Sequence, residues 1–295
     1  MRAILAVACA CLAACATAPE PTRSEPVIIG ESFTLDAPEL GGPRQINVWL
    51  PPDYSNERER RYTVLYVLDG GLDQDFQHIA GLAQLGALSW TYETLIVVGV
   101  GSEQRRRELT APPSNTRLAQ EFPEAGEAAF FRAFLAEQVI PTIESRYRTD
   151  ERRALIGESL AGLFVLDTFL TTPDLFHDYI AISPSLWWDD KALARSTATR
   201  LAQHASSDRR LYLTIADEGD AMQTGMDMIV QALSRAPPSG LQWRFVDRSA
   251  SETHATIYHG AALDALRWLY AIPPEEYGPA PWYMLDEEER DAAHR

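Results

Sequence analysis

The stretch Gly157-Glu-Ser-Leu-Ala-Gly162 lies between the apolar run Arg153-Ala-Leu-Ile156 and a second one from Leu160 to Leu170. This order predicts a strand, a tight turn and a helix, and it constrains the chain more than any other feature. Small neighbours let the backbone turn sharply enough to lift a serine hydroxyl off the end of a sheet. Ser159 is therefore the candidate nucleophile. The pattern departs from G-x-S-x-G in one respect: Ala161 stands in place of the second glycine, and Gly162 follows one place later. Taken alone, the motif equally fits a glycine-flanked serine capping a helix, so the remainder of the chain has to supply context.

Leu211-Tyr-Leu-Thr-Ile-Ala216 has the pattern of a buried strand and runs directly into Asp217-Glu-Gly-Asp220, followed by a helix from about Ala221 to Ser234. Leu241-Gln-Trp-Arg-Phe-Val246 alternates like another strand, and Ser249-Ala-Ser-Glu-Thr-His254 precedes an apolar-periodic helix over Ala261 to Tyr270. Serine, acid and histidine thus occur in the chain order of an α/β-hydrolase triad, each just past a strand. A serine hydroxyl becomes a useful nucleophile when a base takes its proton, and imidazole titrates near neutrality. His254 is the expected base. A carboxylate must hold its far nitrogen, and Glu218 or Asp220 supplies it. Glu218, closer to the strand end, is preferred, and Glu252 is a more distant alternative. Acyl transfer also needs two N–H groups aimed at the developing oxyanion. One is expected from Leu160. The other is expected from Gly70 or Gly71, because Tyr62-Thr-Val-Leu-Tyr-Val-Leu68 ends in Asp69-Gly-Gly-Leu72.

The other histidines fit structural or solvated positions: His78 in a helical stretch, His177 before a strand, His204 in a polar surface helix and His259 at the start of the last helix. No histidine pair has zinc spacing and H-E-x-x-H is missing, so neither a metal nor any other cofactor is expected.

These residues together resemble the putative-esterase family of α/β-hydrolases, which includes esterase D-type, feruloyl-esterase-type and ferric-siderophore-esterase-like proteins. The resemblance runs from about Ile28 to Tyr270. It rests on Val64-Leu-Tyr-Val-Leu-Asp-Gly70, Ile96-Val-Val-Gly-Val100, Arg107-Glu-Leu-Thr110, Gly157-Glu-Ser-Leu-Ala-Gly162, Ser183-Pro-Ser-Leu-Trp-Trp188 and Glu252-Thr-His254. Arg107 to Thr110 and Ser183 to Trp188 are similar to the siderophore-esterase-like branch, and the resemblance implies that they border the active-site mouth. Trp187 and Trp188 would then offer an aromatic wall, with at least one facing the pocket. Arg107 would meet an anionic substrate group. No particular ester follows from the resemblance.

Strand patterns near Val27 to Leu35, Ile46 to Leu50, Val64, Leu95, Ala154, Tyr179, Leu211 and Trp243 alternate with helical ones. The expected architecture is an α/β-hydrolase fold, with a mostly parallel central sheet and helices on both faces. The longest helix is expected over Glu127 to Arg146, bent by Pro141. The expected division is an export signal over 1–14, a lipidated Cys15 and tether over 15–26, one domain over 27–272, and a Pro-rich, acidic tail over 273–295. The signal rests on an alanine-rich apolar run, too short to span a bilayer, that ends in Leu12-Ala-Ala-Cys15. That sequence resembles a bacterial lipobox, which implies an enzyme anchored by lipid on the periplasmic side of a membrane; a soluble periplasmic or secreted enzyme is the alternative. All three cysteines lie in this segment, so the body holds no internal disulfide. A formal charge of −16 argues against nucleic acid, or an anionic membrane surface, as a partner held by bulk electrostatics.

The expected activity is hydrolysis of a small-molecule carboxylic ester through an acyl-enzyme, of siderophore or aryl type. The alternatives are an acyltransferase using the same triad, or a catalytically silent ligand-binding protein of the same fold.

Overall fold

The computed structural model describes residues 23–204 and 208–273. The expected signal, Cys15 and the acidic tail lie outside the described residues. Eight strands alternate with helices in a single sheet: β1 (Glu31–Leu35), β2 (Arg44–Trp49), β3 (Tyr62–Leu68), β4 (Ile96–Val100), β5 (Thr149–Glu158), β6 (Asp178–Ile182), β7 (Arg210–Ile215) and β8 (Gln242–Asp247). Their spatial order is β1-β2-β4-β3-β5-β6-β7-β8. β1 and β2 run antiparallel to their neighbours, and every pairing from β4 through β8 is parallel.

A parallel sheet covered on both faces needs strands apolar on both sides. All seven residues of β3 are buried accordingly. Val64, Tyr66 and Leu68 face one core layer, while Leu65 and Val67 face the other. The helices divide between the two faces: α1 (Phe76–Ser89), α2 (Arg105–Leu109), α3 (Thr116–Glu121), α4 (Ala128–Phe134), α5 (Ile140–Arg146), α6 (Leu160–Thr171), α7 (Ala192–Leu201), α8 (Asp220–Arg235) and α9 (Ile257–Tyr270). α1 and α9 pack on the face of Leu65, and α4 to α8 on the face of Tyr66.

Three expectations change. The first strand begins at Glu31 instead of Val27; Val27 and Ile28 are exposed and outside the sheet. The long helix over Glu127 to Arg146 is interrupted by a π-helical turn at Leu135–Val139. Pro141 has no N–H to donate, and its ring would collide with the carbonyl of residue 137 in a continuous α-helix; the wider turn fits around it. His259 lies inside α9 instead of starting it.

At the edge where the parallel strands enter, Asp178 opens β6 fully buried. Its carboxylate accepts from Arg152 and Arg210 and from the Tyr270 hydroxyl of α9, at 2.7–3.0 Å. Burial pushes the carboxyl up, but the hydrogen bonds from Arg210 and Arg152 outweigh it and hold the group below the usual aspartate range. A depressed value means that the stabilisation is complete above the unfolded aspartate's pKa and is lost as pH falls through the folded one. Replacing Asp178 with asparagine strands two guanidinium groups. Urea unfolding at pH 7 should show a loss of about 3 kcal/mol, and a loss under about 0.5 kcal/mol would mean the cluster is energetically idle.

Candidate active site

Because the parallel strands share a direction, their far ends share an edge, and ligand sites of such sheets lie there. Ser159 follows β5, Glu218 lies three residues past the end of β7, and His254 lies beyond β8. The last two loops are tied together: Asp217 and Thr253 form an isolated parallel bridge, and the Asp217 N–H donates to the Glu252 carbonyl at 2.9 Å. Each residue one step further on, Glu218 and His254, is thereby set beside the other.

Ser159 has φ 62° and ψ −118°, a conformation that costs a residue with a Cβ of the order of 1–3 kcal/mol. The surroundings hold it there. Its N–H donates to the Ile182 carbonyl, and its own carbonyl accepts from Leu163 and Ser185. A side chain on Gly157 would meet the Cβ of Ala161 at 2.6 Å, and one on Gly162 would meet the Ile182 carbonyl oxygen at 2.7 Å. The displaced glycine of the motif is thus the one that lets α6 approach β6.

His254 Nε2 lies 3.0 Å from the Ser159 Oγ, and its Nδ1 lies 3.1 Å from Oε1 of Glu218. The hydrogen bond to Glu218 raises the imidazole above the ordinary histidine value, against the opposing effect of burial. Glu218 is in turn held by the hydroxyl of fully buried Ser183, which donates to Oε1 while accepting from the Ala216 N–H. Asp220 sits in the first turn of α8, and the Glu252 carboxylate accepts from Thr256 instead of His254. Of the three acids the sequence offered, the fold brings only Glu218 to the imidazole.

Gly70 does not supply a free donor. Its N–H bonds the Val100 carbonyl at 2.8 Å, and a Cβ there would fall 2.3 Å from the Gly99 Cα, so close packing on β4 accounts for this glycine. Gly71's N–H donates to the Gln74 side-chain oxygen at 2.9 Å. Leu160, first in α6, has an N–H bonded to no protein acceptor among the described residues.

Trp188 is also reassigned. It is buried, packs near Phe122 and donates from its indole nitrogen to the Ala111 carbonyl. It lines a cavity of about 190 Å³ on the flank of α6 with Leu109, Leu163 and Leu193. Trp187 stays partly exposed at 38%. Neither indole lines the opening beside Leu160, a cavity of about 330 Å³ formed with Gln104, Arg105, Arg106, Arg107 and Glu124. Arg107 is therefore at the mouth, but its Nε pairs with Glu127 at 2.5 Å. Arg105 pairs with Asp69 at 2.8 Å, and Arg106 lies over the Phe122 ring. Three participants escaped the sequence reasoning: Gln74, Ser183 and Glu158. Ser183 opens a motif that the resemblance placed at the mouth, and Glu158 carries a signal of its own, a charged residue one glycine after the apolar run Ala154-Leu-Ile156 and beside the serine.

The model of the family described as Putative esterase matches residues 37–264. Ferri-bacillibactin esterase BesA of Bacillus subtilis is 39% identical over 199 residues, covering 61% of this chain and 68% of the relative. Apo-salmochelin esterase of Escherichia coli is 28% identical over 195 residues, covering 63% and 61% respectively. A solved IroE-like serine hydrolase from Shewanella oneidensis matches with a TM-score of 0.74 and 26% identity, covering 83% of this chain and 82% of that one.

Gly162→Ala tests the turn itself. The added methyl must push α6 from β6, with an expected loss of about 2 kcal/mol in chemical denaturation and a larger fractional fall in ester turnover, since the Ile182 carbonyl also holds the Ser159 N–H. Wild-type values for both would show that the close approach does not matter.

Proposed function

The chain belongs to the Putative esterase family and is a serine hydrolase of carboxylic esters; from that premise we propose Ser159 as its nucleophile, His254 as general base and Glu218 as the carboxylate orienting the base. The continuous path from hydroxyl to imidazole to carboxylate, 3.0 and 3.1 Å long, carries this assignment. Ser159 attacks the ester carbonyl as Nε2 takes its proton; Nε2 returns that proton to the departing alcohol, and the same steps with water release the acid. Glu218 keeps Nδ1 protonated and stabilises the transient imidazolium. The Leu160 N–H meets the oxyanion. Gly71 becomes the second donor when substrate displaces the Gln74 side chain.

The substrate class is an anionic, siderophore-type ester. This is supported by relatives whose names specify ferri-bacillibactin and salmochelin, and by the arginines lining the cavity next to Leu160. A panel of catecholate-type, aryl and short-chain alkyl esters tests it; a preference for uncharged short-chain esters would remove the siderophore assignment while leaving the esterase. For location, the proposal is a lipoprotein anchored through Cys15 on the periplasmic side of a membrane, supported by the lipobox-like Leu12-Ala-Ala-Cys15. Labelled palmitate should enter the wild type in a bacterial host and not Cys15→Ser. Equal labelling of both would refute the anchor.

Ser159→Ala should lower kcat/KM for an ester by about a thousandfold or more with folding intact. Glu218→Gln should cost far more than Asp220→Asn. Full turnover by the serine variant would end the assignment, and a reversed order of the acids would transfer the orienting role.

A further inference from the structure

Oε1 of Glu158, the residue before the nucleophile, lies 3.1 Å from Nε2 of His254, the same nitrogen that faces the Ser159 Oγ. One imidazole thus has a carboxylate at each nitrogen, Glu218 at Nδ1 and Glu158 at Nε2. A nitrogen that serves as general base for Ser159 must present a lone pair to the serine proton. A carboxyl at hydrogen-bond distance from that nitrogen competes for this position in either proton arrangement. Protonated, Glu158 donates to the lone pair; ionised, it stabilises the proton on Nε2.

We propose that Glu158 is a positioning residue that holds a shared proton between its Oε1 and His254 Nε2 in the free enzyme, so that loss of this proton to solvent, not of an isolated histidine's, sets the acidic limit of turnover. This rests on the assignment of Ser159 and His254 as nucleophile and base. The surroundings favour retention of that proton. The Glu158 side chain is only 17% exposed. Its carboxyl stands raised to about 7: burial pushes it up most, the His254 charge draws it partly back, and Asp75 raises it again. Five titratable or charged groups act on it from five elements: His254 past β8, Asp75 at the start of α1, Arg105 of α2, Glu218 past β7 and the buried Tyr258 hydroxyl of α9. Arg105, the one arginine among them, is already shared with Asp69 at 2.8 Å. Burial and Asp69 raise Asp75 itself to about 6, so its charge varies over the same pH range and opposes ionisation of Glu158.

An ionised carboxylate beside Nε2 favours imidazolium, so neutralising it lets His254 lose its proton at lower pH and extends activity toward acid. In Glu158→Gln, the ratio of kcat/KM at pH 6 to that at pH 8.5 should rise by about threefold or more relative to wild type. The titration midpoint of His254, followed by its imidazole NMR signals in the full chain, should fall. Glu158→Ala, which removes any amide able to turn toward Nε2, should move both readouts in the same direction. An unmoved midpoint overturns the proposal, and so does a lower midpoint with an unchanged ratio. The NMR titration needs no turnover, so it separates this proposal from the triad assignment: an active Ser159→Ala enzyme would defeat the latter while the Glu158–His254 contact was still read directly.

Discussion

The backbone at Ser159 is the constraint on which the other parts of the site depend. A residue with a side chain at φ 62° is unfavourable by itself, and it persists because neighbouring groups are fixed around it. The Ile182 carbonyl of β6 takes its N–H, Leu163 and Ser185 donate to its carbonyl, and Gly157 and Gly162 leave room for α6 to turn back along the sheet. The strain aims the hydroxyl off the strand end and leaves the first N–H of α6 without a backbone partner. The proposed nucleophile and oxyanion donor are therefore products of one local conformation, and a change in packing between α6 and β6 reaches both.

The polar groups around that turn form two unlike regions. On one side a chain of buried or half-buried polar groups surrounds the imidazole: the Ser183 hydroxyl donates to Glu218, Glu218 holds Nδ1, and Glu158 meets Nε2. On the other, Arg105, Arg106 and Arg107 border the cavity that includes Leu160. These arginines are not bare charges, since Asp69, Phe122 and Glu127 orient them. In a protein of formal charge −16, such a local cationic group is what the proposed anionic ester requires for its approach to the serine.

Much of this was legible along the chain because it depends on sequence-local physics. Residues 153–170 show strand, turn and helix through the spacing of apolar side chains, and Asp217 to Asp220 and His254 stand out as polar residues directly after strand patterns. Gly70 and Trp188 show where that logic stops. A glycine after a strand suggests a donor near substrate, but at Gly70 the close approach is to Gly99 on the neighbouring strand. Adjacent tryptophans suggest an aromatic wall, but Trp188 turns into the core toward Ala111 and Phe122, residues far from it in the chain.

From residue order alone come the alternation of elements, the strand ends that carry polar groups, and the candidacy of Ser159 and His254, because each is written in a short window of hydrophobic period and turn chemistry. Which carboxylate reaches the imidazole, which amide remains unbonded and which second acid shares Nε2 follow only from the assembled sheet. Those choices depend on the register of β5 against β6 and on the bridge between Asp217 and Thr253, pairings across long sequence separations in which a shift of one residue would turn a side chain to the opposite face.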